Sequence, residues 1–165
     1  MIVLGIDPGT AITGYAFIEE RGQTLRALDY GAVITAAGED PALRLLAIYR
    51  ELSDKIAAFQ PHEAAVEELF FCRNVTTAIA VGQARGVAVL AAANAGLPVA
   101  EYTPLQVKQA VVGYGRASKE QVQFMIKSIF GLKEIPKPDD VADAMAIAVC
   151  HIHAAPMQRL GRVKQ

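Results

Sequence analysis

The first six residues, Met-Ile-Val-Leu-Gly-Ile, form an almost unbroken apolar run that stops at Asp7-Pro8-Gly9-Thr10. A run this apolar predicts a short strand covered on both faces, the position of a central strand in a layered α/β protein. The Asp, Pro and Gly that follow are turn formers. Two more strands are predicted close behind, over 14–18 and 25–34, and the short links make a three-strand meander the simplest join. Next, Leu45, Ile48, Leu52, Ile56 and Phe59 recur every three or four residues. They predict a helix over Pro41–Phe59, capped by Asp40, with Pro41 in its first turn.

The rest of the chain alternates. A short strand over 64–69 carries Glu67 and Glu68. A helix crowded with Ala and Gly then runs to about residue 95, capped by Asn74 or Thr76 and stopped by Gly96. A fifth strand is predicted over 98–102. Thr103-Pro104 opens a short helix, and Ser118 to Gln121 fits a capping box for the next one. Asp139 caps a last helix that ends near Pro156. Together these give an α/β layer fold with a mixed sheet. Residues 1–156 are expected to form one domain, and 157–165 a basic, flexible tail.

Composition narrows the function classes. The 165 residues are 53% hydrophobic, enough for a real core and inconsistent with disorder. The longest charge-free stretches, such as 86–100, are 15 residues, short of the roughly 18 that span a bilayer. Asp7 interrupts the N-terminal apolar run, and no basic segment precedes it, so no secretory signal is expected. The two cysteines, Cys72 and Cys150, are too few for a disulfide framework and fit a reducing cytosol. The net charge of -1 conceals an asymmetry: residues 138–150 hold three aspartates and no base, while 101–137 and 151–165 on either side are basic. An acidic centre between basic segments allows a phosphate-binding surface.

Acids also stand where structure does not require them. Asp7 and Glu67 each follow an apolar strand. Asp140 and Asp143 share one face of the last helix, which is apolar nearly all round. Two ionised aspartates there need a compensating charge. In sequence only Lys137 is near enough to supply it. The other solution is a divalent cation, and hard oxygen ligands without histidine or thiolate point to Mg2+ or Mn2+. Two such ions would suit phosphodiester cleavage. The alternative is plain helix electrostatics, with acids favoured in the first turn. The Gly5 to Thr10 turn also resembles the phosphate hairpin of the sugar-kinase, Hsp70 and actin group, but the chain has no second copy of the motif. A P-loop is excluded, because no Gly-Lys-Ser/Thr follows the glycines.

The ordered set Leu4-Gly5-Ile6-Asp7-Pro8-Gly9, Thr13-Gly14-Tyr15, Glu67-Glu68-Leu69-Phe70, Gly82-Gln83-Ala84-Arg85-Gly86-Val87, Val107-Lys108-Gln109 and Ala142-Asp143-Ala144-Met145-Ala146-Ile147-Ala148 resembles the RuvC family of bacterial Holliday junction resolvases. The resemblance covers residues 1 to about 153. It implies a ribonuclease-H-like fold, with a five-stranded mixed sheet flanked by helices on both faces. It also implies a homodimer that nicks two opposed strands of a four-way DNA junction, in the cytoplasm at the nucleoid and beside a branch-migration complex. Four acids would bind Mg2+: Asp7, Glu67, Asp140 and Asp143, with Asp139 an alternative to Asp140 as the third.

By the same resemblance Lys108 and Lys119 lie near the site and serve phosphate contact or charge stabilisation. Phe70 stacks on an unpaired base at the crossover, supported by Arg73. Arg116 extends the positive track. The Ala-Gly helix, through a face of Ala78, Val81, Gly82, Arg85, Gly86 and Val89, contributes to the dimer contact. Arg85 is either packed there or paired with an acid. A different ribonuclease-H-like nuclease and a non-catalytic branched-DNA binder remain the alternatives.

Overall fold

The computed structural model describes residues 1–68 and 75–162. Five strands, β1 (Ile2–Asp7), β2 (Ile12–Arg21), β3 (Thr24–Ile34), β4 (Glu63–Glu67) and β5 (Val99–Tyr102), form one sheet in the order β3-β2-β1-β4-β5. The first three are antiparallel neighbours, whereas β4 runs parallel to β1 and β5 parallel to β4. The helices are α1 (Pro41–Phe59), α2 (Val75–Asn94), α3 (Pro104–Val112), α4 (Lys119–Ile129) and α5 (Asp139–Arg162). The expected α/β architecture, a five-stranded mixed sheet with helices on both faces, is present.

Alternation along β1 sorts its residues between two cores. Leu4 and Ile6 join Tyr15, Phe17, Ala64 and Val66 under α1 and α2, where Phe17 stacks on Phe59 with ring centroids 4.8 Å apart. Val3 joins Ala16, Ile18 and Ala65 under α3, α4 and α5. Each fully buried side chain of this size contributes about 1.5–3 kcal/mol. β1 therefore has both faces covered, as its apolar run demands.

The caps follow their sequence signals. Asp40 accepts from the Ala42 and Leu43 amides, and Thr103 and Ser118 form complete capping boxes with Gln106 and Gln121. Three boundaries differ from expectation. β2 spans Ile12–Arg21 rather than 14–18, because its ladder with β3 runs the whole way from Ile12 to Arg21, whereas β1 pairs only with Gly14 to Glu19. Asp139 lies inside the first turn of α5, where the expectation made it the cap. α5 also continues through Pro156 to Arg162, into the stretch expected to be a tail. One missing N–H removes a single helix bond, and the following Met-Gln-Arg-Leu are good helix formers.

Candidate active site

The same alternation that builds the cores aims the acids. Val3, Gly5 and Asp7 share the α5 side of β1, and Ala65 and Glu67 share it on β4. Ile6 pairs with Val66 in the parallel ladder, so Asp7 and Glu67 end adjacent strands side by side. Glu68 lies just past β4, with its amide donating to the Tyr102 carbonyl at 2.8 Å.

Two glycines bring α5 down onto these carboxylates. A Cβ at Gly5 would collide with the Ala144 carbonyl and Ala148, and one at Gly14, the ladder partner of Asp7, with the Asp140 carbonyl. Only glycine permits this backbone-to-backbone approach. It places Asp140 and Asp143 against the ends of β1 and β4. The loop after Asp7 is closed by Thr13, whose hydroxyl donates to the Gly9 carbonyl at 2.7 Å.

The electrostatics record this convergence. Burial, then the charges of Asp143, Glu67 and Asp140, push the Asp7 carboxyl up to about 8. Burial and the Asp143 charge also raise Glu67, and burial raises Asp143 against the opposing pull of Lys119. Lys119 Nζ stands 3.0 Å from Asp143 and 3.7 Å from Asp139. Burial pulls the ammonium down, but the hydrogen bond to Asp143 and the neighbouring acids hold its pKa above the ordinary lysine value. The counter-charge that sequence offered only through Lys137 thus arrives from α4. Lys137 itself binds Asp139 at 2.7 Å. Asp140, in the first turn of α5, is one of the acids whose charge acts on Asp7.

Among the described residues, no group of three or more His, Cys, Asp and Glu side chains is arranged to hold a metal ion as it stands. The donor set nonetheless fits a hard cation. Four carboxylates act on one another, all offer oxygen, and the facing lysine, Lys119, is half exposed.

Lys108 and Lys119 line one cleft of about 200 Å³ together with Glu67, Asp143, Val107 and Val122. Arg116 is exposed three residues before Lys119. Phe70 and Arg73 lie outside the described residues. Arg85 proves to be paired with an acid, Glu101 at 2.7 Å, and its Nε donates to the Glu67 carbonyl at 3.3 Å. It thereby braces the strand end that carries Glu67.

A second cleft, of about 370 Å³, lies on the other side of Asp140 and is lined by Gly9 to Ile12, Ala80, Val81 and Arg44. Arg44 was missed in sequence. Its available signal is a base in the first turn of α1, where the helix dipole disfavours it.

The face of α2 expected to meet a partner is mostly half-buried. The exposed stripe is Ile79, Gln83, Gly86 and Leu90, sharing only Gly86 with that face and with open space there, while Ala84, Ala88, Ala91 and Ala92 pack on the sheet. Among the described residues, no helix is long and apolar enough to cross a membrane.

Known proteins resemble this chain in sequence and fold. The family model described as "Crossover junction endodeoxyribonuclease RuvC" matches residues 3–151. The protein of that name from Moorella thermoacetica is 60% identical over 159 residues, 96% of this chain and 95% of its own length. The one from Desulfitobacterium hafniense is 62% identical over 154 residues, 93% of each. The solved structure of T. thermophilus RuvC in complex with Holliday junction substrate superposes with a TM-score of 0.91 at 42% identity, over 96% of each chain. With its model matched across most of the length and its acids gathered at the ends of β1, β4 and the start of α5, the chain belongs to the crossover junction endodeoxyribonuclease RuvC family.

Proposed function

We infer that the chain is a structure-selective endonuclease that resolves four-way DNA junctions by paired symmetric nicks. The observation that carries this reading is Asp7, pushed up to about 8 by burial and by three neighbouring carboxylates, in a chain that superposes on a junction-bound relative. A buried cluster of like charge is unfavourable for the folded chain alone and suited to cations. Asp7, Glu67, Asp140 and Asp143 would hold Mg2+ or Mn2+, two ions per site. The chemistry such ions would supply, when bound, is activation of a water and stabilisation of charge on the leaving oxygen.

The chain's own groups do the rest. Asp7, central among the acids, offers two oxygens, while Glu67 and Asp143 flank it and Asp140 supports them. Lys108 and Lys119 line the cleft beside the acids and are set to meet the scissile phosphate, adding positive charge where negative charge develops. Phe70 and Arg73 serve the crossover, with stacking of about 1–3 kcal/mol per base that needs no sequence match. Arg116 extends the track along the backbone.

The exposed α2 stripe supports a homodimer, which sets two sites on equivalent strands. One nuclease domain over 1–156, a cytoplasmic location at the nucleoid, and work beside a branch-migration complex complete the reading.

The test is a synthetic four-way junction with a short mobile core, incubated with Mg2+ or EDTA beside a matched duplex. Paired symmetric nicks only in Mg2+, and lost in Asp7→Asn while binding persists, are the expected result. Tight binding without cleavage in any divalent metal would leave a branched-DNA binding protein.

A further inference from the structure

The acids are flanked by two clefts, and only one of them holds the lysines. The other holds Arg44, fixed by a relay of side chains. Its Nε donates to Thr35 Oγ1 at 2.8 Å, the Thr35 hydroxyl donates to the Thr10 carbonyl at 2.6 Å, and the Thr10 hydroxyl donates to the Ala80 carbonyl at 2.7 Å. Thr35 is buried, at 7% exposure, and Thr10 and Arg44 are half-buried, so the hydrogen-bonded relay holds Arg44 in place before any ligand arrives. It ties the start of α1, the end of β3, the loop after Asp7 and α2 into one unit.

Arg44 uses one of its five N–H donors on Thr35, and among the described residues it forms no ion pair. The cleft it lines also includes Gly9, Thr10 and Asp140. A guanidinium in the first turn of α1 opposes the helix dipole, and the acid at that end, the cap Asp40, is spent on the Ala42 and Leu43 amides. The dipole of α1 therefore gives no reason for a cation here. An oxyanion that accepts the remaining donors in a planar fork does.

We propose that Arg44 binds a phosphate of the cleaved DNA strand next to the scissile phosphodiester, on the side away from Lys108 and Lys119. This rests on the junction-nuclease reading. A strand laid across Asp7 and Asp140 has one direction leading into the lysine cleft and the other into the Arg44 cleft. With a cation at each end, the strand is held in register over the carboxylates. Arg44 is a positioning residue, and the Thr35 to Thr10 relay carries the strand's position directly to the loop that follows Asp7.

The test measures junction binding over a salt series in EDTA, single-turnover nicking in Mg2+, and Tm, for wild type, Arg44→Ala, Arg44→Gln and Arg50→Ala. Gln keeps most of the stem and an amide donor for Thr35, so the charge is removed without the clamp. Arg50 is exposed further along α1. The expected result is about tenfold weaker binding for both Arg44 variants, and a log K against log salt slope shallower by about one. Nicking at saturating protein should slow as well, with the Tm of Arg44→Gln unchanged and Arg50→Ala like wild type. An unchanged slope with a lowered Tm would make Arg44 a structural clamp and overturn the proposal, as would equal losses in Arg50→Ala. If the wild-type chain fails to bind the junction, the broader reading falls and this one falls with it.

Discussion

Asp7 is buried enough, and crowded enough by carboxylates, to hold its proton up to about pH 8 in the metal-free chain. Its pKa in the unfolded chain is near the usual ~3.9. The folded state therefore binds more protons than the unfolded state between those values. The stabilisation is full below about pH 4 and is lost as pH rises towards about 8. Asp7→Asn removes the titration. In EDTA its Tm should exceed that of wild type by a margin that grows from about pH 5 to about pH 8, read by thermal scans at several pH values. A flat margin would show that the raised carboxyl pKa is absent. The same shift predicts that Mg2+ binding near neutral pH displaces protons, seen in calorimetry as a dependence on buffer ionisation enthalpy that fades towards pH 9 or so. Lys119, 3.0 Å from Asp143, holds part of the counter-charge meanwhile. Its charge was legible in sequence. Its place near the site followed only from the family resemblance and not from spacing, because only the packing of α4 on α5 brings residue 119 to residue 143.

At the scale of elements, α5 lies where the site requires it because two positions on the sheet have no side chain. Gly14→Ala places a methyl group against the Asp140 carbonyl. It should cost about 1–3 kcal/mol in denaturant unfolding, as overpacking does. Junction nicking should fall further than stability, by about a hundredfold, because a shift of about 1 Å in positioned groups has that effect. Gly22→Ala serves as the contrast. Its positive φ of 61° strains a Cβ in a turn with open space around it, so stability should drop while nicking per folded molecule stays whole. Most elements were readable because their signals are local. The apolar run of β1, the three-and-four spacing of α1 and the capping boxes of α3 and α4 each act within a few residues. The limits of β2 and α5 were not readable, because β2 is lengthened by its pairing with β3 and α5 outlasts its proline. Strand parity also made Asp7 and Glu67 predictable as neighbours once β1 and β4 were paired. Arg44 escaped because its meaning lies in a relay through Thr35 and Thr10 that joins three elements.

For the whole molecule, the proposed reaction asks one site per chain to yield two nicks on opposed strands. A symmetric pair of chains answers it, since a two-fold axis sets two identical sites on equivalent strands of a near-symmetric junction. The surface of α2 supports this. Ile79 and Leu90 are 58% and 57% exposed on one side of a helix whose other side is buried alanine, and Gly86 between them leaves open space. A second α2 could approach closely there. Because Leu90 packs so little of its surface within the chain, Leu90→Asp should leave the unfolding free energy within about 0.5 kcal/mol of wild type. Against a second copy, the same change buries an unpaired charge at the contact, which is strongly unfavourable. Light scattering should then report half the wild-type mass. On a junction the variant should nick, but its two nicks should separate in time, so that singly nicked junction accumulates where wild type passes directly to two duplexes. A plasmid-borne junction resolves these outcomes, because a single nick gives relaxed circles and paired nicks within the junction's lifetime give linear product. If Leu90→Asp keeps the wild-type mass, the contact lies elsewhere. If it becomes monomeric and still yields linear product at the wild-type rate, the two cuts need no two-fold partner.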